Sequence, residues 1–179
     1  TASRILGTAF FLEGYEVQDA PRYGAERRGA PIFAYVRADR APINERGIIR
    51  HPDLVIVADD SLVPIPAAGV LAGITDHSLM LINSAEKEQV WKQRLNHSGS
   101  ILTLPVAADV TERAELPYVG AACAGAAARL IGVISEAALE QAINDELSDL
   151  GADIVNKNLH NAVAAYRAMA SHAGLVKEG

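Results

Sequence analysis

Apolar positions along the chain follow two spacings. Residues 1–12 repeat at the helical interval, with Ile5, Leu6, Ala9 and Phe10 on one face. Gly14 follows, a residue type that commonly closes a helix in the left-handed conformation. Tyr15–Asp19 and Ile32–Arg37 read as short strands. Leu54–Val57 and Leu79–Ile82 are uninterrupted aliphatic runs, as expected of strands covered on both faces of a parallel sheet. Between them, 61–73 holds two prolines and two glycines and predicts a loop with at most one helical turn. Ser84–His97 predicts a helix with Ser84 as its N-cap and with Lys87 and Glu88 exposed. Ile101–Val106 predicts a strand that lies at an edge or ends at Pro105. Thr111–Leu116 is a short connector.

From Tyr118 the pattern changes. Tyr118–Ile131 is small, apolar and almost uncharged, which predicts a helix buried on most sides, first within the chain's own core. Ser135 caps a helix over Glu136–Leu150, with Leu139, Ile143 and Leu147 turned inward. A last helix, Ile154–Ser171, presents Val155, Leu159, Val163 and Tyr166, and the tail from Ala173 to Gly179 is expected to be loose. Strands alternating with helices predict an α/β fold: a three-layer α/β/α Rossmann-like sandwich with a mainly parallel sheet and a helical C-terminal part. At 179 residues, one domain spanning 1–179 is the expectation.

Composition narrows the classes. Half of the residues are hydrophobic and the net charge is −6, which argues against nonspecific nucleic-acid or anionic-membrane binding. No apolar run reaches the roughly twenty residues that a membrane span requires. Cys123 is the one cysteine, so the sequence offers neither an internal disulfide nor a cysteine metal cluster, and a reducing cytoplasm is the simplest compartment. Its apolar setting points to a core residue, not a nucleophile. None of the five histidines pairs at metal-ligand spacing, and no Gly-x-Ser-x-Gly elbow is present. His51 is read as structural or surface, Asp59-Asp60 as a solvated turn and helix-start acid, and Glu136, Glu140 and Asp145 as a solvated helix face. No catalytic residue and no metal ligand is assigned to this chain.

The candidate chemistry sits in residues 20–31, Ala-Pro-Arg-Tyr-Gly-Ala-Glu-Arg-Arg-Gly-Ala-Pro, which packs three arginines, two glycines and two prolines into a shaped loop. Arginine forks suit phosphate or carboxylate, and Glu26 is able to pair with one and fix its direction. A solvated loop, or one tied to acids of this chain or of a partner, remains the plainer alternative. The loop follows Tyr15–Asp19, and ligands of parallel α/β sheets bind beyond the carboxyl ends of strands.

Tyr23-Gly24-Ala25-Glu26-Arg27-Arg28-Gly29-Ala30-Pro31, followed by Phe33, Tyr35, Val36 and Arg37, resembles the signature of the gamma subunit of 2-oxo acid:ferredoxin oxidoreductases, of the pyruvate or aromatic 2-oxo acid type. The similarity runs on through Pro42-Ile43, Pro52–Val57 and Asp60-Ser61-Leu62 and fades after Leu81-Ile82-Asn83-Ser84. That family carries a Gly-x-Gly-Gly-Gln-Gly turn just before its first helix. The sequence in hand opens at Thr1 without it. The expectation is that the natural N-terminus, with part of a cofactor site, lies outside it.

The resemblance implies a subunit of a thiamine diphosphate-dependent complex that converts a 2-oxo acid to acyl-coenzyme A and passes electrons to ferredoxin or NAD. Thiamine diphosphate and iron–sulfur clusters would sit on partner subunits of alpha, beta and delta type. This chain would help bind coenzyme A through Tyr23, Gly24, Glu26, Arg27, Arg28 and Gly29, with Arg27 the foremost ionic contact, and would provide assembly surface. Two alternatives stay open: a purely structural assembly subunit, and a stand-alone Rossmann-like nucleotide-binding enzyme.

Overall fold

The computed structural model describes residues 1–22, 32–106 and 117–178, with the side chains of Pro21, Arg22 and Pro117 left aside. Helix α1 (Ala2–Leu12) leads to strands β1 (Glu16–Arg22) and β2 (Phe33–Asp39). Strand β3 (Leu54–Val57), β4 (Leu79–Ile82), helix α2 (Glu88–Leu95) and β5 (Ser100–Thr103) follow. Helices α3 (Pro117–Ile131), α4 (Glu136–Leu147) and α5 (Ala152–Ala168) complete the chain. Strands β3, β4 and β5 form a parallel sheet in that order, with Val55, Met80 and Ile101 in register.

The period-two alternation of strand side chains sorts the sheet into two faces. Leu79, Leu81 and Leu102 turn toward Ala122, Ala126 and Leu130 of α3, while Val57, Met80, Ile82 and Ile101 turn toward Val63 and Trp91. Helices therefore cover both faces, which gives the three-layer sandwich. Only β4 is buried at every position; β3, the edge, is half-buried along Leu54–Ile56 and not covered throughout as its aliphatic run predicts. α3 lies in the chain's own core: it packs on α5, α1 and the sheet. Gly125 lets it approach α5, for an added Cβ would stand 2.0 Å from the carbonyl oxygen of Ala162.

Several boundaries differ from the sequence pattern for physical reasons. α2 starts at Glu88, with Lys87 as N-cap. Ser84 is not a cap, because its hydroxyl is taken by Asp60, Trp91 and the backbone N–H of Glu86. β5 ends at Thr103, ahead of Pro105, and is also an edge strand. α4 stops at Leu147 and tightens into a 3-10 turn over Ser148–Leu150. Ser135 caps α4 as expected, accepting from Ala138 N–H. The buried stripe of α5 is Val155, Asn158, Ala162, Ala165 and Tyr166, with Val163 only half-buried. The tail is not loose: Gly174 N–H donates to Arg129 O at 3.1 Å and Val176 N–H to Leu130 O at 3.0 Å.

The largest departure concerns the strands around the arginine-rich stretch. β1 and β2 pair antiparallel over seven residues, Glu16 with Asp39 through Arg22 with Phe33, as a separate two-stranded ribbon. Ala20–Arg22, expected to open a loop, are thus the end of a hairpin strand, and the rest of the stretch follows that strand and not a strand of the parallel sheet. An isolated hairpin is marginal in water, and both faces of this one are held. Val17 and Asp19 lie against Gly7 of α1, where an added Cβ would meet Val17 Cγ1 at 3.4 Å. On the other face Arg37 donates to Gly47 O at 3.0 Å and Ile48 O at 3.1 Å.

Candidate functional site

The carboxyl edge of the parallel sheet is where such folds take ligands, and here it is closely tied. The backbone ladder runs one step past the strands: Asn83 N–H donates to Val57 O at 2.8 Å and Leu104 N–H to Ile82 O at 2.9 Å. Asn83 Nδ2 then donates to Ala58 O at 2.9 Å, and its Oδ1 accepts from Val106 N–H at 2.9 Å. Next in the chain, Ser84 Oγ donates to Asp60 Oδ2 at 2.5 Å and accepts from Trp91 Nε1 at 3.1 Å. One dipeptide thus fastens the exits of β3 and β5 and the start of the α2 layer. The apolar run Leu79–Ile82 breaking into a buried Asn-Ser was the signal in the sequence for this feature.

Beside this edge a groove of about 840 Å3 opens between α2 and the loop after β3. Val63, Val70, Trp91 and Leu95 make its apolar walls, and Ile65 and Leu71 leave large apolar side chains exposed on it. Glu86 and Arg94 form an ion pair at 3.0 Å along it. Gly69 also lines the groove, and a Cβ there would meet the Phe33 ring at 3.7 Å. Phe33 pairs with Arg22, the last described pair before the arginine-rich stretch. The loop end of the hairpin therefore lies next to the groove.

Tyr23, Gly24, Glu26, Arg27, Arg28 and Gly29 themselves lie outside the described residues. Arg37, the last residue of the resembling motif, is a structural clamp on 47–48. Asp59 caps a 3-10 turn by accepting from Ser61 N–H at 3.0 Å, and Asp60 is held by Ser84. Cys123 is 1% exposed, and burial pushes its thiol up to about 12. A thiol in that state is protonated near neutrality and is neither nucleophile nor metal ligand. Glu136 is not simply solvated: Arg167 grips it with Nη2 at 2.5 Å and Nε at 3.1 Å, which holds its carboxyl below the usual range. Glu140 and Asp145 are exposed as expected, and so is His51. Among the described residues no group of three or more His, Cys, Asp or Glu is arranged to hold a metal ion. Nor is any described helix long and apolar enough to cross a membrane.

These features define a Rossmann-like α/β/α domain with a groove and a hairpin at the sheet's carboxyl edge. The family described as pyruvate ferredoxin/flavodoxin oxidoreductase matches residues 1–168. The common gamma subunit of the pyruvate/ketoisovalerate oxidoreductases of Pyrococcus furiosus is 35% identical over 93% of this chain and 88% of its own length. The crystal structure of pyruvate oxidoreductase subunit PORC from Thermotoga maritima has a TM-score of 0.70 at 23% identity, covering 93% of this chain and 86% of that one. The 2-oxoglutarate:ferredoxin oxidoreductase of Magnetococcus marinus, solved with 2-oxoglutarate, coenzyme A and succinyl-CoA bound, has a TM-score of 0.67 at 16% identity. That match spans 95% of this chain and 28% of the other. The chain belongs to the pyruvate ferredoxin/flavodoxin oxidoreductase family, as a gamma subunit of a 2-oxo acid:ferredoxin oxidoreductase.

Proposed function

We propose that this subunit helps to build the coenzyme A site of a multi-subunit complex that oxidatively decarboxylates a 2-oxo acid to an acyl-coenzyme A. The observation that carries the reading is the placement of the hairpin. The Phe33 ring at its loop end lies against Gly69, at the rim of an apolar groove beside the carboxyl edge of the sheet. The chain between its strands bears Arg27 and Arg28. Guanidinium forks match the phosphates of coenzyme A, and an apolar groove suits its aliphatic arm. Arg27 is the foremost ionic contact, Glu26 orients the arginines, and Gly24 and Gly29 let the backbone come close. Tyr23 opens the same stretch.

Thiamine diphosphate on partner subunits supplies the decarboxylation chemistry in this reading. Iron–sulfur clusters on alpha-, beta- or delta-type partners carry electrons onward to ferredoxin or an NAD-linked acceptor. A chain with a single, buried cysteine does not itself ligate such a cluster. The complex would work in the cytoplasm.

Replacing Arg27 and Arg28 together by alanine in the assembled complex tests the reading. A charge-assisted hydrogen bond is worth about 1.5–3 kcal/mol. The expected result is an apparent KM for coenzyme A raised about tenfold to a hundredfold, with the KM for the 2-oxo acid unmoved. An unchanged KM for coenzyme A overturns it. If the complex instead falls apart, the arginines hold a partner chain and the assembly-only role stands.

A further inference from the structure

Asn83 is 6% exposed and lies at the carboxyl end of the central strand. Its amide spans both neighbours of that strand, donating to Ala58 O and accepting from Val106 N–H, each at 2.9 Å. The direction of the amide follows from chemistry. Only the NH2 group can meet a carbonyl, and only the oxygen can meet an N–H. Among side chains of this length, an amide alone supplies both partners from one plane. Aspartate would set a carboxylate against the Ala58 carbonyl, and leucine would remove the Ala58 carbonyl's donor and leave the Val106 N–H to Leu104 O alone, at 3.0 Å. The bridge acts where the chain has already left the ladder, so it governs how the two exits diverge and not how the strands pair. The Ala58 exit continues through Asp59 into Asp60, which borders the groove and is itself tied to Ser84.

The opposite end of β4 carries a matched device with no such consequence. Ser78 is 2% exposed. Its hydroxyl donates to Pro52 O at 2.7 Å and accepts from Thr75 N–H at 3.0 Å. It likewise closes two backbone groups near the sheet, but at the amino edge, away from the groove. The pair allows local order at the binding edge to be separated from general stability.

We propose that Asn83 is a positioning residue for coenzyme A use: by bridging Ala58 and Val106 it fixes the exits of β3 and β5 and so sets the carboxyl edge against which the carrier is held. This rests on the reading above that coenzyme A approaches that edge. Small displacements of groups that place a substrate are costly in turnover or affinity, so the effect should appear in the KM of one substrate.

The experiment is steady-state kinetics on the assembled complex with Asn83→Asp, Asn83→Ser, Ser78→Ala and the Arg27→Ala/Arg28→Ala pair. Asn83→Ser leaves room for a water between Ala58 and Val106 and keeps the test available should Asn83→Asp fail to fold. The expected result is a KM for coenzyme A raised about tenfold in the Asn83 variants. The KM for the 2-oxo acid and kcat at saturation should hold, and Ser78→Ala should move neither KM. An equal rise in Ser78→Ala, or a fall in kcat without a rise in KM, overturns the proposal. If the arginine pair raises the KM and Asn83→Ser does not, only the positioning role fails. If neither does, the coenzyme A reading fails with it.

Discussion

Replacing Gly125 by alanine is expected to destabilise the fold, although glycine-to-alanine in a helix interior ordinarily stabilises by about 1 kcal/mol. The reason is geometric. An added Cβ would stand 2.0 Å from Ala162 O, 2.7 Å from its carbonyl carbon and 2.9 Å from its Cα. All three are backbone atoms of α5, so no side chain can turn aside. The two helices must part by on the order of 1 Å, which opens the contact around Ala126, Ala162 and Ala165, all of them buried. Overpacking of this kind costs typically about 1–3 kcal/mol, and more where backbone must move. Set against the propensity gain, a net loss of about 2 kcal/mol is expected. For a chain of this size that lowers Tm by roughly 4–8 °C. Gly120, in the same helix, is the internal control: a Cβ there would meet Thr1 Cβ at 3.4 Å, an ordinary contact. Gly120→Ala should be neutral or stabilising by up to about 1 kcal/mol. Urea and thermal unfolding of the two variants read the difference. A Gly125→Ala protein as stable as the wild type would refute the close crossing of α3 and α5.

Three further outcomes follow from single contacts. Glu13 accepts from the Ser135 hydroxyl at 2.6 Å and from its N–H at 2.9 Å, and these two bonds hold its carboxyl below the usual range. A depressed folded value means that the contribution is complete above the unfolded value of about 4.3 and is lost as pH falls through the folded one; Glu13→Gln should flatten the acid limb of a stability–pH profile, and an unchanged slope counts against the contact. Cys123, with its thiol pushed up to about 12, should resist a disulfide reagent at pH 8 in the native state and react at once in denaturant; rapid native labelling would contradict its burial. Ser84→Ala strands Asp60 and the indole N–H, a loss of about 1–3 kcal/mol. It should also shift the emission of Trp91, the chain's single tryptophan, while a silent spectrum would place the indole elsewhere.

The helices and the parallel strands were legible because their apolar spacing is unambiguous: the aliphatic runs Leu54–Val57 and Leu79–Ile82 became β3 and β4 without a change of boundary. What misled was the use of polar residues. Ser84 has the chemistry of an N-cap and stands just before a polar, helix-forming run, yet tertiary partners claim its hydroxyl. The hairpin was visible as two strands, but pairing is a nonlocal property, and nothing in 15–37 says that these strands leave the sheet. Arg37 was legible only as the last residue of the resembling signature; that its cation serves two backbone carbonyls ten and eleven residues on was not. Asn83 looked like the end of a similar stretch; its role needs three strands side by side before it can be seen.

The central claim is that the arginines of the hairpin hold the phosphates of coenzyme A. The most direct test is a structure of the assembled complex with coenzyme A bound. The account predicts a guanidinium nitrogen of Arg27 or Arg28 at about 2.7–2.9 Å from a phosphate oxygen. Both guanidinium groups directed into bulk water, away from the carrier and from every neighbouring chain, would contradict it.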